Sequence, residues 1–259
     1  MGRTQEREEA MKVVYHEAYH QVYSSDPASA PGRIEAVVRE LKGKVNFITP
    51  EAAPREDILR VHTEDHVRSV EWEGVYEIAA LAAGGAILAA EIGLTEPAFA
   101  LIRPPGHHAS AGSAWGFCYF NNMAIALERL KAQGKIRKVF LLDFDLHFGD
   151  GNVNILGEKG YVDILNPAAG DRKRYLGEVE EALSRTEADL IAVSAGFDHH
   201  EEDWGGLLKT EDYRLMGRWV AERARKNQGG CFGILEGGYN HRVLGKNVLA
   251  FIEGLSLQG

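Results

Sequence analysis

Two cysteines in 259 residues leave no material for a disulfide framework. Cys118 and Cys231 each sit inside an apolar stretch, so buried, reduced thiols of a cytosolic protein are expected rather than a bridge or a nucleophile. Long apolar runs are missing as well. The most apolar stretch, Ile78 to Ile92, contains Glu91 and the pair Gly84-Gly85 and falls short of the roughly 20 residues that a membrane span requires. Met1 to Met11 is charged and polar, without the apolar segment of a secretory signal, which points to a cytoplasmic setting. Basic charge is outnumbered. The 29 Lys and Arg stand against 38 Asp and Glu, a formal net charge of -9, which argues against affinity built on neutralising nucleic-acid phosphates and favours a cationic ligand. Neither a Gly-rich lysine motif for a nucleotide triphosphate nor a Gly-x-Gly-x-x-Gly dinucleotide turn occurs.

With 45% hydrophobic and 26% charged residues the composition is that of a globular domain, and no repeat or Gly/Ser/Pro-rich linker divides it. One domain covering residues 1–259 is expected. Short apolar runs over Lys12 to Tyr15, Val45 to Ile48, Ala98 to Ile102, Lys138 to Leu142, Asp189 to Val193 and Cys231 to Leu235, and one ending at Leu165, read as strands. Helical spacing covers Arg33 to Leu41 and about Val75 to Glu91, Asn122 to Ala132, Arg172 to Ser184, Glu211 to Lys226 and Val243 to Gly254. Thr63 and Thr210, each followed by two acidic residues, look like helix caps. Strands alternating with helices predict an α/β fold with a mostly parallel sheet covered on both faces.

Four of these strands end in polar clusters: Arg103-Pro104-Pro105-Gly106-His107-His108, Asp143 to Gly151, Ser194 to Asp198, and Leu235-Glu236-Gly237-Gly238-Tyr239-Asn240. Ligand sites of open α/β sheets lie beyond the carboxyl ends of the strands, so the clusters are expected to share one crevice. Asp143, Asp145 and His147 are spaced two apart, which on an extended segment turns them to one side. A carboxylate and an imidazole there suit a divalent metal, Asp198 completes three protein ligands, and three ligands with an open position is the pattern of a catalytic metal. His107 and His108 are the acid/base candidates, because imidazole changes charge near neutral pH. Asp143 and Asp150 are spare carboxylates able to fix imidazole tautomers, and Tyr239, after Gly237-Gly238, is a donor for a developing oxyanion. His199 and His200 continue into Glu201, Glu202 and Asp203, and solvent-exposed or supporting places are expected for them.

These clusters, with Gly116-Phe117-Cys118-Tyr119-Phe120-Asn121-Asn122, closely resemble the histone deacetylase family, which includes acetylpolyamine amidohydrolases and related bacterial and archaeal deacetylases. Weaker similarity at Pro31 to Leu41, Arg60-Val61-His62-Thr63 and Ala83-Gly84-Gly85 extends the resemblance over most of the chain. It implies the arginase/deacetylase fold, a three-layer αβα sandwich. It also implies Zn2+ held by Asp145, His147 and Asp198; His108 paired with Asp150 as general base and later acid; and His107 paired with Asp143 as an electrostatic partner. Tyr239 would polarise the scissile carbonyl, Phe117 would line a channel for an acyl-lysine-like chain, and the backbones of Gly116 and Gly238 would meet the substrate. The implied reaction is hydrolysis of an N-acetyl or N-acyl amide of a lysine side chain, a polyamine or a related small amine.

The sequence departs from the family in its short segments between Gly151 and Asp189 and around Glu71 to Val75. The first is where relatives carry a second aromatic channel wall, and no equivalent stands out. Glu71 and Glu73 are weak candidates for the rim carboxylate of relatives. A structural K+ is left unassigned, because no matching Ser lies near Ile164-Leu165-Asn166. Two carboxylates and one imidazole are a harder donor set than His-rich zinc sites, which admits Fe2+ beside Zn2+. Two alternatives stay open: a binuclear ureohydrolase-like enzyme on the same fold, and a non-catalytic acyl-amine-binding protein. The oligomeric state is not legible.

Overall fold

The computed structural model describes residues 10–256, so the polar N-terminal segment lies mostly outside the described residues. The strands are β1 (Lys12–Val14), β2 (Asn46–Ile48), β3 (Ala98–Ala100), β4 (Val139–Asp143), β5 (Val162–Leu165), β6 (Leu190–Ala195) and β7 (Gly230–Leu235). They form a parallel sheet in the order β2-β1-β3-β7-β6-β4-β5. The four strands that lead into the polar clusters, β3, β7, β6 and β4, are consecutive in that order. At a strand spacing of about 4.8 Å their carboxyl ends span only about 14 Å, which is why clusters so far apart in sequence meet.

Nine helices are found among the described residues: α1 (Arg33–Leu41), α2 (Arg55–Ile58), α3 (Glu64–Trp72), α4 (Tyr76–Ile92), α5 (Asn122–Ala132), α6 (Asp150–Leu156), α7 (Arg172–Arg185), α8 (Thr210–Lys226) and α9 (Leu244–Ser256). Helices α1, α9, α8 and α7 pack successively in one layer, and α2, α4, α5 and α6 group in another. The sheet between them makes the expected three-layer α/β sandwich. Its central strands are fully buried, consistent with their unbroken apolar sequences. Helix α4 is apolar nearly all round because it lies against both the sheet and α5. No helix among the described residues is long and apolar enough to cross a membrane.

Two local expectations change. Thr63 caps α3, its side chain accepting from the His66 N–H, but Thr210 is the first residue of α8 rather than its cap. The Asp212 carboxylate accepts the Lys209 N–H at 2.8 Å, freeing the Thr210 hydroxyl to bond Asn247 at 2.7 Å. The two-residue alternation proposed for Asp143, Asp145 and His147 also stops early, because β4 ends at Asp143.

An aromatic cluster sits beneath the crevice. Phe144 and Phe197, next to the crevice residues Asp143, Asp145 and Asp198, turn inward and place their rings 5.3 Å and 6.3 Å from Phe251 of α9, which also meets Phe99 of β3 at 6.0 Å. Tight interiors punish such a deletion, so Phe251→Ala is expected to cost about 3–5 kcal/mol of stability. The shift of the urea midpoint at unchanged slope measures it, and a loss below about 1 kcal/mol would show that the cluster does not couple α9 to the sheet.

Candidate metal and acid/base site

The crevice is assembled by buried polar ties between the clusters. Glu236, fully buried after β7, accepts from the backbone N–H groups of Gly106 at 2.7 Å and His107 at 3.3 Å, and from the Ser194 hydroxyl at 3.1 Å. Burial pushes its carboxyl up to about 7. Asn152 of α6 donates to Asp143 at 3.0 Å and to Ser194 at 3.2 Å. One connected set of hydrogen bonds therefore joins all four strand ends. On the flank, Arg103 is fully buried and spends its guanidinium on the carbonyls of Tyr19, Gln21, Ala28 and Ala30, fixing the loop before α1.

Asp145, His147 and Asp198 bring potential metal-ligating atoms within 4.8 Å of one another. His147 Nδ1 lies 3.4 Å from Asp145 Oδ1 and 3.4 Å from Asp198 Oδ2. Asp145 Oδ2 accepts the Gly237 N–H at 2.8 Å, and Asp198 Oδ1 accepts the Leu146 N–H at 3.1 Å. Asp198 Oδ2 is buried and accepts no hydrogen bond. A Cβ on Gly237 would stand 2.5 Å from Asp145 Oδ2 and 2.7 Å from Asp198 Oδ2, so glycine is required where the backbone passes between the two carboxylates. Burial and the neighbouring Asp145 charge push Asp198 up to about 6, whereas His147, hydrogen-bonded to Asp145 and lying beside Asp198 without a hydrogen bond to it, is pushed up to about 10. The pocket thus calls for positive charge and recruits a proton onto His147. Asp143 does not join this group; as expected of a spare carboxylate, its Oδ2 meets His107 Nδ1 at 3.2 Å.

The two adjacent histidines are driven in opposite directions. Burial opposes charge on His107, but Asp145 and Asp143 overcome it and raise its pKa well above the ordinary imidazole range. Burial and the charged His107 ring pull His108 down to about 4, leaving it neutral near pH 7. His108 Nδ1 meets Asp150 Oδ1 at 2.7 Å. Asp150 opens α6, where the helix N-terminus favours a carboxylate; burial alone would raise its pKa, and hydrogen bonds from Trp115 and His108 lower it. An ionised carboxylate only accepts, so Nδ1 carries the proton and the Nε2 lone pair remains available.

A cavity of about 280 Å³ opens over this group and is walled by Trp115, Gly116, Phe117, Trp204 and Tyr239. Phe117 holds a left-handed backbone with φ of 69°, a strained choice for a bulky residue, and its ring meets Tyr239 edge-on at 5.9 Å. Burial raises the Tyr239 phenol far above its ordinary value, which keeps it a donor. Gly238 is set back, its carbonyl accepting from Arg33 Nε at 2.8 Å, and Gly237 lines the cavity in its place. A second cavity of about 330 Å³ lies across the 145–148 segment beside Asp145 and His199, away from the histidine pair. Of the two places expected for His200, exposed or supporting, the structure shows a buried one: it is bonded through Nδ1 to the Glu202 N–H at 3.1 Å and through Nε2 to Thr210 Oγ1 at 3.3 Å. His199 is half-buried, edge-on to Tyr175. Glu71 is engaged by Arg55.

Glu236, Asn152, Trp115, Trp204 and Asp203 are the residues that sequence reasoning missed. Trp204 stacks on Tyr239 with centroids 4.1 Å apart, and Asp203 Oδ2 accepts the N–H groups of Tyr239 at 2.8 Å and Asn240 at 2.7 Å. The available signal was a tryptophan abutting a glycine in each case, before Gly116 and before Gly205.

Metal binding requires a neutral imidazole, so it must expel the proton that His147 holds at pH 7.5. Titration calorimetry in buffers of different ionisation enthalpy should show about one proton released per ion, and apparent affinity should rise roughly tenfold per pH unit until His147 titrates, at about 10. Asp198→Ala should abolish stoichiometric binding. Binding without proton release at pH 7.5 would contradict the assigned state of His147.

The histone deacetylase domain profile matches residues 72–167 and 162–255. A probable deacetylase of Archaeoglobus fulgidus is 33% identical over 88% of this chain and 81% of its own length. A histone deacetylase-like amidohydrolase of Pseudomonas aeruginosa is 30% identical over 85% of this chain and 73% of its own. An acetylpolyamine amidohydrolase of Mycoplana ramosa is 29% identical over 71% of this chain and 63% of its own. Among solved structures, the HDA15 HD domain superposes with a TM-score of 0.83 at 25% identity, covering 96% of this chain and 90% of that one. With the crevice built from the motifs that carried the resemblance, the chain belongs to the histone deacetylase family and is a hydrolytic deacetylase.

Proposed function

We propose that this protein hydrolyses the N-acetyl or short N-acyl amide of a lysine side chain, a polyamine or a related small amine, using one divalent ion. The observation that carries the reading is that His147, grouped with Asp145 and Asp198, lines one cavity together with two adjacent histidines, each of which is paired through Nδ1 with a carboxylate. The unpartnered Asp198 Oδ2 and the proton drawn onto His147 fit a cation there. Asp145, His147 and Asp198 would hold Zn2+, or Fe2+ given the hardness of the donors. When bound, the ion supplies Lewis acidity toward a carbonyl and a water.

The side chains divide the remaining work. His108 Nε2 takes a proton from the attacking water and returns it to the departing amine nitrogen, while Asp150 keeps Nδ1 protonated throughout. His107, whose protonation the neighbouring Asp145 and Asp143 carboxylates favour, lies against His108 and disfavours a second charge there. The Tyr239 hydroxyl donates to the carbonyl oxygen as negative charge grows on it. Phe117 and Trp204 enclose an alkyl chain and exclude water. The acetylated amine is read from the family and from the narrow aromatic entrance, and the net negative charge favours a cationic substrate. A binuclear ureohydrolase is disfavoured by His200, whose nitrogens are both bonded away from the pocket.

Acetate release from acetyl-lysine peptides and acetylated polyamines is the direct test, with metal counted per chain. Tyr239→Phe should lower turnover about a hundredfold or more at unchanged metal content, the scale of a lost oxyanion donor. Metal-replete protein inert toward both substrate classes would overturn the reading, and two ions per chain would revive the binuclear one.

A further inference from the structure

The proton-transfer pair carries a cover that the reaction outlined above leaves without a task. Trp115 lies over the His108 imidazole, with ring centroids 3.9 Å apart and planes inclined by 30°. His107 lies 4.0 Å from the same ring. The Trp115 Nε1–H donates to Asp150 Oδ2 at 2.8 Å, while the other oxygen of that carboxylate receives His108 Nδ1 at 2.7 Å. One indole thus touches both members of the pair. The backbone enforces the contact: Gly116 has φ of 58°, and a Cβ on it would stand 2.4 Å from His108 Cδ2.

Asp150 needs such help. Its side chain is 34% exposed, and without Trp115 only His108 and the adjacent Gly151 N–H would hold it against rotation and exchange with water. A donor on each oxygen fixes its plane, and the plane fixes the imidazole. We propose that Trp115 is a positioning residue of the hydrolysis: it grips Asp150 through the indole N–H and caps the His108 ring, holding the imidazole with Nδ1 protonated and Nε2 free for proton transfer. The proposal rests on the reading of His108 as the base. It also gives a reason for a half-exposed tryptophan, 54% accessible, in a polar loop.

The test uses the full-length, metal-loaded protein. Trp115→Phe keeps an aromatic cover and removes the donor; Trp115→Ala removes both. With an acetylated lysine peptide or polyamine, kcat should fall roughly tenfold in the first variant, with KM and metal content unchanged, and further in the second, which also opens one wall of the cavity. Introduced into Asp150→Asn, Trp115→Phe should have no additional effect, because the carboxylate through which it acts is gone. A second readout needs no turnover: in histidine-labelled nitrogen-proton NMR spectra, the His108 Nδ1–H signal, assigned by its loss in His108→Ala, should be sharp in the wild type and broadened or lost in Trp115→Phe. An unchanged signal, or a kcat loss of equal size with and without the Asp150 carboxylate, overturns the proposal. If the wild type releases no acetate, the assigned reaction fails, and the imidazole signal still decides whether Trp115 holds His108.

Discussion

Two carboxylates confined where water cannot reach them, Asp145 and Asp198, set the terms for everything around them. Like charges in a buried crevice repel and lose hydration, and removing a partner from such a group leaves a charge whose burial costs several kcal/mol. The chain answers with backbone N–H groups from Gly237 and Leu146 and with the imidazole of His147, yet one oxygen of Asp198 stays without a donor. That residual demand is what suits the crevice to a cation. It reaches the acid/base pair too: Asp145 helps to keep His107 charged, and charged His107 helps to keep His108 neutral.

Holding such a group together requires a rigid support, which has a polar and an apolar part. Glu236, Ser194, Asn152 and Asp143 form a buried hydrogen-bonded tie across the strand ends. Such networks are strongest when every member is satisfied: Glu236 accepts three hydrogen bonds and Asn152 donates two, while the Asn152 Oδ1 is left without a partner. Beneath them, Phe144 and Phe197 lock the loops against Phe251 and Tyr213. The residues flanking the crevice carboxylates along the chain are therefore the anchors of the core.

The entrance is built differently. As its sequence suggested, the short segment between Gly151 and Asp189 brings no aromatic side chain to the cavity; Trp204 lines it from the loop after Asp198. Asp203 ties that loop to the Tyr239 backbone, so the wall and the phenol are set by one carboxylate. Trp115 closes the opposite side over His108. Both indoles remain half exposed, which leaves a shallow, aromatic mouth.

Much of this was readable from the chain itself, for a physical reason. Buried parallel strands announce themselves as apolar runs, helices by their spacing, and the chemistry of Asp145, His147, Asp198, His108 and Tyr239 by polar residues at the points where strands end. What stayed hidden depends on contacts between segments distant in sequence. Glu236 became a tie only when Gly106 came within 2.7 Å of it, and Trp204 became a wall only by stacking on Tyr239. The spacing sets Asp143 on one side with Asp145 and His147 only while the strand continues beyond Asp143, and only the fold decided between an exposed and a supporting place for His200 by burying it against Tyr213. Local pattern determined the elements and the reactive groups, because propensity and periodicity act along the chain; the strand order decided which groups meet, because only packing brings β3, β7, β6 and β4 side by side.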